Sequence, residues 1–384
     1  MLGRYISVAI LSRAADAGAE PAVLICASAA GLSTGHGALV LGALTASAAL
    51  GGPLLGAAVD RARHVASAYA AGLLAIGAGL AALAVGLGRF PLIALLAIGV
   101  LAGVAQPLFS GGWTAVLGAI VPAERIHRAY AIDAVTYDLG GILGPALAAA
   151  AVGVGDRAPL LTMAALALLA LPAVATTRWP RTPRAGGDFR GEVRAGLRSL
   201  ARIPALRSVT ILSTLQYAGM AARTVTVPAL AHQLTGSTAF AGVLFAVSAA
   251  ASLTGSALLT RFTLPWPPHR VAIAGTVVSA ASLAGLAATG SAWTAGLLFA
   301  AGGLLDAPLL TSVFTVRGEQ TPPQLRAQVF ATAASIKTSS YAIAILAFGL
   351  VAGMRSGLIA GAAVQLLGIL LAAPRTRSRE SLAA

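Results

Sequence analysis

Seven ionisable residues lie inside long apolar stretches of this chain, where their chemistry would be proton exchange or selection of a charged ligand. Arg13, Asp16 and Glu20 are three and four residues apart, so they share one face of a helix. A charge at the centre of a bilayer costs about 2.5 to 3.5 kcal/mol, so such residues usually serve a function. The remaining four stand in separate stretches: Asp138, Arg223, Asp306 and Lys337.

Pairing is expected to neutralise part of this charge. Arg13 is a candidate partner for Asp16 within one helix, and Lys337 is a candidate partner for Asp306 between neighbouring helices. The seven residues nevertheless comprise three cations and four carboxylates, so one carboxylate remains without a cationic partner.

The surplus acid predicts a proton carrier. A carboxylate without a partner in a low-dielectric cavity can exchange a proton near neutral pH. Glu20 is the first candidate, followed by Asp16 and Asp138.

The elements that must position these charges are membrane spans. The chain of 384 residues is 58% hydrophobic and 10% charged, with a mean hydropathy of +0.86, which excludes a soluble globular protein. Twelve stretches have the length of about 20 residues needed to cross a bilayer, and the predicted fold class is therefore an all-α polytopic membrane protein. Spans 1 to 12 fall at 5–30, 38–59, 66–87, 91–119, 129–153, 158–177, 208–231, 238–260, 270–289, 292–316, 327–352 and 356–373.

The arginines indicate how the spans are oriented. The net charge is +14, but the loops that follow odd-numbered spans hold only Arg89, Arg157 and Arg355. Because positively charged loops stay in the cytoplasm, both termini and all loops that follow even-numbered spans are predicted to be cytoplasmic. The protein is expected in the cytoplasmic (inner) cell membrane, and its basic excess reflects topology rather than nucleic-acid binding.

Residues 178–207 divide the chain into an N-terminal half, 1–177, and a C-terminal half, 208–384, with six spans each. Within this linker, arginines recur every four residues while apolar residues follow another face. The pattern predicts an amphipathic helix lying flat on the anionic inner leaflet, and a solvated linker helix is the alternative. A shift of 201 residues lays Pro122 on Pro323 and Arg125 on Arg326, which indicates that the halves are pseudo-symmetric repeats.

The loop between spans 2 and 3 carries a charged motif. Gly56, Asp60, Arg61 and Arg63 have the spacing of the cytoplasmic motif of the major facilitator superfamily, which the chain resembles. Ala62 stands where that motif has a glycine. The resemblance implies a fold of two six-helix halves around a central cavity.

It also implies a cytoplasmic gate. Asp60 is expected to dock at the start of span 11, near Arg326, where a helix N-terminus attracts anions. Asp133, about one turn into span 5, is the expected partner of Arg61 or Arg63. The alternative is that the motif only caps two helix ends.

Span 5 contains a second point of resemblance. Gly140, Gly144 and Pro145 are similar to the family motif associated with antiporters, although Ala148 and Ala149 replace a glycine pair. Small residues four apart permit close approach of another helix. The resemblance favours export over import.

The family's cavity is lined by spans 1, 4, 7 and 10, and these spans carry polar faces here. The resemblance therefore implies a substrate among Trp113, Tyr217 and Met220, since aromatic and methionine side chains give adaptable apolar contact. The full set of candidate cavity residues is Arg13, Asp16, Glu20, Gln106, Ser110, Trp113, Gln216, Tyr217, Met220, Arg223 and Asp306.

Other chemistries lack their motifs. The five histidines are scattered without metal-ligand spacing, and Cys26 is the only cysteine, so neither a metal nor a cofactor is expected. The single lysine is not in a phosphate-binding loop, so no ATPase partner is implied and the protein is not expected to be an enzyme.

These observations predict a secondary active transporter of small organic molecules that works by alternating access. Efflux of a drug or metabolite in exchange for protons is the leading interpretation. A proton-coupled importer of a sugar or amino acid is one alternative, and a membrane sensor or accessory subunit without transport is another.

Overall fold

The computed structural model describes residues 2–62, 64–176, 189–237, 240–262, 264–351 and 353–372, among which there are helices and no strands. Of these helices, ten are long and apolar enough to cross a membrane. The helices of spans 1 and 7 are also long, at 28 and 32 residues, but they carry more polar residues. The predicted all-α, twelve-span fold class is confirmed. Arg63 lies outside the described residues.

The N-terminal spans contain three interruptions. Span 2 breaks at Ser47, span 6 breaks at Ala170, and span 4 contains one π-helical turn directly after Pro107. Proline has no N–H and clashes with the preceding turn, which explains the irregularity in span 4. The helices are Leu2–Ala29, Thr34–Ala46 with Ala48–Arg61, Val65–Gly86, Leu92–Gly103 with Leu108–Gly112 and Trp113–Ile120, Ile126–Ala151, and Ala158–Leu169 with Leu171–Thr176.

The C-terminal spans are each continuous. Pro204 and Pro268 stand in the first turns of spans 7 and 9, where a missing N–H costs nothing. Gly236 ends span 7 with a positive φ of 75°. The helices are Pro204–Thr235, Phe240–Arg261, Pro268–Ala288, Ala292–Gln320, Arg326–Val351 and Met354–Ala372, preceded by the linker helix Phe189–Arg202.

Packing follows the predicted repeat. Span 1 packs on span 5 as span 7 packs on span 11, and spans 2 and 4 pair as spans 8 and 10 do. Between the halves, span 2 contacts span 11 and span 5 contacts span 8. Short 3₁₀ turns, Ala123–Arg125 and Pro323–Leu325, precede spans 5 and 11 at equivalent points.

The linker helix lies at one end of the bundle, against spans 2, 7 and 11. This end is called the linker face below. Leu200 is buried there with Leu206, Val329 and Ala333, while the arginines Arg190, Arg194, Arg198 and Arg202 are exposed. Protein therefore covers Leu200, while Leu197 of the same predicted apolar face is exposed, and the placement of this helix on the lipid surface stays a prediction.

Candidate functional site

A cavity of about 360 Å³ lies between the two halves, and it is the candidate substrate site. Its lining includes six of the candidate cavity residues predicted from the sequence: Arg13, Asp16, Glu20, Gln106, Ser110 and Tyr217. Spans 1, 4 and 7 contribute to it as expected, but spans 5 and 11 replace span 10. Sequence reasoning missed Tyr137 and Tyr341, which complete the wall.

The cavity holds charges without ion-pair partners among the described residues. Asp16 is half-buried, and its Oδ1 atom is inaccessible and accepts no hydrogen bond. Glu20, one turn further along span 1, has an exposed side chain. Lys337 lies with its Nζ 4.5 Å from the ring centre of Tyr217 and 5.9 Å from that of Tyr137. The site therefore presents two carboxylates and one ammonium group to a ligand.

The expected pair of Asp306 and Lys337 does not form. Asp306 on span 10 does not line this cavity, and the charges that act on it are those of Arg223 and Asp138. Lys337 instead makes cation–π contacts with the tyrosines of spans 5 and 7. Spans 10 and 11 are sequence neighbours, but they scarcely pack together, because span 11 lies mainly against spans 2 and 7.

Arg13 forms the strongest polar cluster in this region, and its partner is Asp133 rather than Asp16. The Arg13 Nη1 to Asp133 Oδ1 distance is 2.6 Å, with side chains 4% and 0% exposed. The Tyr5 hydroxyl donates to the same carboxylate at 2.5 Å, and Thr114 donates to it at 2.7 Å. Arg13 Nη1 also donates to Thr136.

The close packing of spans 1 and 5 explains this pairing. A Cβ atom at Gly144 would lie 2.3 Å from the Ala14 carbonyl oxygen, and one at Gly140 would lie 2.7 Å from the Arg13 Cβ. Asp133 is two turns before Gly140 on the same face of span 5, so it meets Arg13. The described ion pair of Asp133 is therefore with Arg13 rather than with the expected gate residue Arg61, and the expected pairing with Arg63 lies outside the described residues.

The π-helical turn of span 4 supplies further acceptors to Arg13. The Phe109 carbonyl accepts from Arg13 Nε at 3.1 Å, and the Ser110 carbonyl accepts from Arg13 Nη2 at 3.3 Å and from the Tyr137 hydroxyl. A π turn leaves carbonyl groups available for such bonds. The irregular backbone thus joins spans 1, 4 and 5 beside the cavity.

Several predicted cavity residues lie elsewhere. Trp113 is fully buried within the first half. Its ring centre lies 4.0 Å from that of Tyr69, on which it stacks, and its Nε1 donates a hydrogen bond to the Ser12 hydroxyl at 3.0 Å. Met220 and Arg223 line a separate small pocket with Phe299. Gln216 is buried, and its backbone carbonyl accepts a hydrogen bond from the side-chain amide of Gln365 on span 12. The polar face of span 7 therefore points toward spans 9, 10 and 12. Tyr217, the residue directly after Gln216, lies on a different face of the helix and lines the cavity.

Asp138 joins the halves rather than lining the cavity. Its two carboxylate oxygens accept from Ser252 at 2.8 Å and from Ser256 at 3.0 Å, both on span 8. The equivalent contact between spans 2 and 11 is made by Ser335, which donates to the Ala48 carbonyl at 2.6 Å and accepts from the Gly52 amide at 3.0 Å.

The linker face is closed by the charged motif of span 2. The buried Asp60 carboxylate accepts from the backbone amides of Ala327 and Gln328 at 3.1 and 2.9 Å, at the start of span 11 where the resemblance implies it. Gly56 permits this approach, since a Cβ there would lie 2.5 Å from the Gln328 Cα. Arg326 Nη1 donates to the Gly118 carbonyl of span 4 at 3.1 Å.

The linker helix covers this closure. Gln328 Nε2 donates to the Val193 carbonyl at 2.8 Å, and Gly196 packs directly against the Gln328 side chain. Arg61 has an exposed side chain beside these contacts.

Comparison with known proteins places this architecture in a family. The family model of the Major Facilitator Superfamily matches residues 5–218, more than half of the chain. The chain belongs to the Major Facilitator Superfamily. Members of this family are multi-pass membrane proteins and transporters rather than enzymes.

A curated relative within the superfamily is the uncharacterized MFS-type transporter y4rN of Sinorhizobium fredii (strain NBRC 101917 / NGR234). It is 24% identical over 270 residues, which are 68% of this chain and 65% of that protein. The matched region thus spans slightly less than two thirds of that relative.

Solved structures of superfamily members share the fold. A bacterial homologue of the iron transporter ferroportin, in its outward-facing state, has a TM-score of 0.78 at 14% identity, over 97% of this chain and 98% of that one. The human organic anion transporter MFSD10 (TETRAN) has a TM-score of 0.74 at 17% identity, over 97% and 99% of the two chains. The E. coli fucose:proton symporter FucP has a TM-score of 0.72 at 16% identity, over 97% of each chain.

The closure of the linker face leads to a first prediction for this superfamily member. Asp60→Asn keeps the shape of the side chain, but its amide nitrogen cannot accept the second backbone N–H. Hydrogen bonds to charged groups contribute about 1.5 to 3 kcal/mol each, so amide exchange in the first turn of span 11 should accelerate at least about tenfold. Hydrogen–deuterium exchange with mass spectrometry of the peptide covering residues 326–333 measures this.

Asp156→Asn, the same change at an exposed residue before span 6, is the matched control and should leave that exchange unchanged. Equal exchange in wild type and Asp60→Asn would contradict the prediction and would assign the closure to helix packing alone.

Proposed function

We propose that this chain is a proton-coupled secondary transporter that exports small polar organic molecules by alternating access. The observations that carry this proposal are the cavity of about 360 Å³ that both halves line and the closure of the linker face by Asp60 at the start of span 11. Ligand sites for small molecules have volumes of this order. Rocking of residues 1–177 against residues 208–384 would expose the cavity to each side in turn.

Proton coupling is assigned to Asp16 and Glu20 because both line the cavity and neither forms an ion pair among the described residues. Proton binding at these carboxylates and substrate binding beside Lys337 would both depend on the same local charges, so each would weaken the other. The fucose:proton symporter of the same fold couples transport to protons. Asp138, at the contact between spans 5 and 8, is a further candidate for sensing protonation.

The proposed membrane is the cytoplasmic one, with the linker face and both termini in the cytoplasm, because arginines concentrate at that end. Export is favoured by the small residues Gly140 and Gly144 beside Pro145, which resemble the antiporter motif and hold span 5 against span 1. Import of a small polar metabolite is the second candidate, since the cavity is lined by charged and hydroxyl groups rather than by apolar side chains alone.

Reconstitution distinguishes these functions. A thermal-shift screen of small polar compounds identifies ligands of the purified protein, and each ligand is then added to proteoliposomes containing the pH dye pyranine. An exporter working by proton antiport should accumulate the compound when the lumen is more acidic than the medium. A symporting importer should accumulate it under the opposite gradient.

Equal accumulation of the compound under both pH gradients would contradict proton coupling. A compound that binds at the cavity but is never transported would favour the non-transporting sensor and contradict the transporter.

A further inference from the structure

A second, larger cavity of about 530 Å³ opens at the linker face, between span 5 of the first half and spans 8, 9 and 10 of the second. It is separate from the central cavity, with which it shares no lining residue. The proposed transport cycle does not use it.

The lining of this cavity is basic. Arg125 and Arg128 come from the first half and Arg261 from the second, against one acid, Glu124. None of the three guanidinium groups forms an ion pair with a described carboxylate. Three cations drawn from both sides of one cavity favour an anionic ligand.

The pseudo-symmetry of the fold shows what this cavity lacks. At the equivalent point of the first half, Asp60 caps the start of span 11 through the amides of Ala327 and Gln328. A shift of 200 residues puts Thr260 in place of Asp60, and the Thr260 hydroxyl donates to its own helix at Ala257. The N-cap residue of span 5, Arg125, makes no capping hydrogen bond with its side chain. The one acid near this helix start is Glu124 of the preceding 3₁₀ turn, and the described residues of the second half that line the cavity include no carboxylate facing the positive end of the helix dipole.

A buried hydroxyl supplies an independent sign of a ligand. Thr311 on span 10 lines the cavity, is 9% exposed, and its Oγ1 has no hydrogen-bond partner among the described residues. A buried polar atom usually has a partner. A bound oxyanion could accept from this hydroxyl.

The outer part of the same cavity is apolar and aromatic. Phe262, Leu264 and Trp266, which follow span 8, are 64%, 46% and 60% exposed and line its rim. Tryptophan and other aromatic residues are typical of the membrane–water interface. An anion-binding interior with an apolar rim at this depth matches an amphipathic ligand rather than a free anion.

We propose that this cavity binds the phosphate head group of an anionic phospholipid from the leaflet on the linker face. The phosphate would lie among the three arginines and the uncapped start of span 5, with the acyl chains against Phe262, Leu264 and Trp266. Because Arg125 and Arg128 belong to the first half and Arg261 to the second, the lipid stabilises the closed linker face. It supplies the negative charge that Asp60 supplies on the other side.

Binding of dioleoylphosphatidylglycerol to the delipidated, full-length protein in detergent tests this site by native mass spectrometry, with dioleoylphosphatidylcholine as the neutral comparison. The double variant Arg128→Gln with Arg261→Gln should bind phosphatidylglycerol about twenty-five-fold more weakly, since each arginine near an anionic lipid contributes about a factor of five. Thr260→Asp, which restores the carboxylate of the other half, should also abolish the preference for phosphatidylglycerol over phosphatidylcholine.

The double variant Arg190→Gln with Arg198→Gln is the matched control, because it removes two exposed arginines of the linker helix at the same face. It should retain the preference. Equal losses in both double variants would overturn the proposal in favour of diffuse attraction to basic residues. Competition by millimolar inorganic phosphate or glycerol 3-phosphate alone, with the same sensitivity to Thr260→Asp, would overturn the lipid assignment and indicate a soluble phosphate ligand.

Discussion

Asp133→Asn should destabilise the protein by about 3 to 5 kcal/mol, because it leaves the Arg13 guanidinium buried without its counter-charge. The pair is 4% and 0% exposed, and the same carboxylate accepts hydrogen bonds from Tyr5 and Thr114. Loss of one acceptor therefore leaves several donors of spans 1 and 4 without a partner. Thermal unfolding of the detergent-solubilised protein measures the change, and Asp156→Asn is again the exposed control.

A second variant separates charge from packing in this cluster. Arg13→Met combined with Asp133→Leu removes both charges and keeps similar volumes, so it should recover most of the lost stability. If the double variant is as unstable as Asp133→Asn, the cluster stabilises the fold through its hydrogen bonds and shape rather than through charge balance. Equal stability of Asp133→Asn and wild type would contradict the assignment altogether.

Glu20→Gln and Asp16→Asn should each abolish accumulation driven by a pH gradient while exchange of cargo for cargo continues. Each variant fixes its side chain in a neutral form, so protonation can no longer select between the two conformations. With one proton per neutral cargo, a gradient of about one pH unit sustains about tenfold accumulation, and the variants should show none. Proteoliposomes loaded with a compound from the binding screen measure both modes.

The position of the two carboxylates refines this expectation. Asp16 has an inaccessible Oδ1 atom with no hydrogen-bond donor among the described residues, while Glu20 is exposed at the cavity. Asp138→Asn is the third variant to test, because Asp138 lies outside the cavity but accepts hydrogen bonds from Ser252 and Ser256 at the contact between the halves, where protonation would act as well. Gradient-driven accumulation that survives in all three variants would show that these residues hold charge for structure or cargo and that proton coupling is wrong.

Much of the architecture could be predicted from the sequence alone, because it depends on local properties. Apolar length, arginine distribution and the repeat of Pro122 and Arg125 at Pro323 and Arg326 are all readable along one chain. They are sufficient for twelve spans, two related halves and a linker helix, since a bilayer requires each helix to satisfy its own backbone. The approach of Asp60 to span 11 could also be expected, but only because the motif that contains it resembles that of a known family; the spacing by itself left helix capping as the alternative.

The partners of the buried charges depended on tertiary structure. Helical periodicity shows which residues share a face, but it does not show toward which neighbour that face turns. Arg13 meets Asp133 because Gly140 and Gly144 draw span 5 against span 1, and Trp113 is buried because it stacks within the first half.

The lining of the cavity also depends on which way each helix face turns. Tyr137 and Lys337 face it because spans 5 and 11 stand at the contact between halves, where the sequence analysis expected span 10. A rotation of about 100° per residue separates Gln216, which is buried against span 12, from Tyr217, which lines the cavity. Sequence thus determined which helices form and which charges they carry, and only the packing of small residues between helices decided which charges meet.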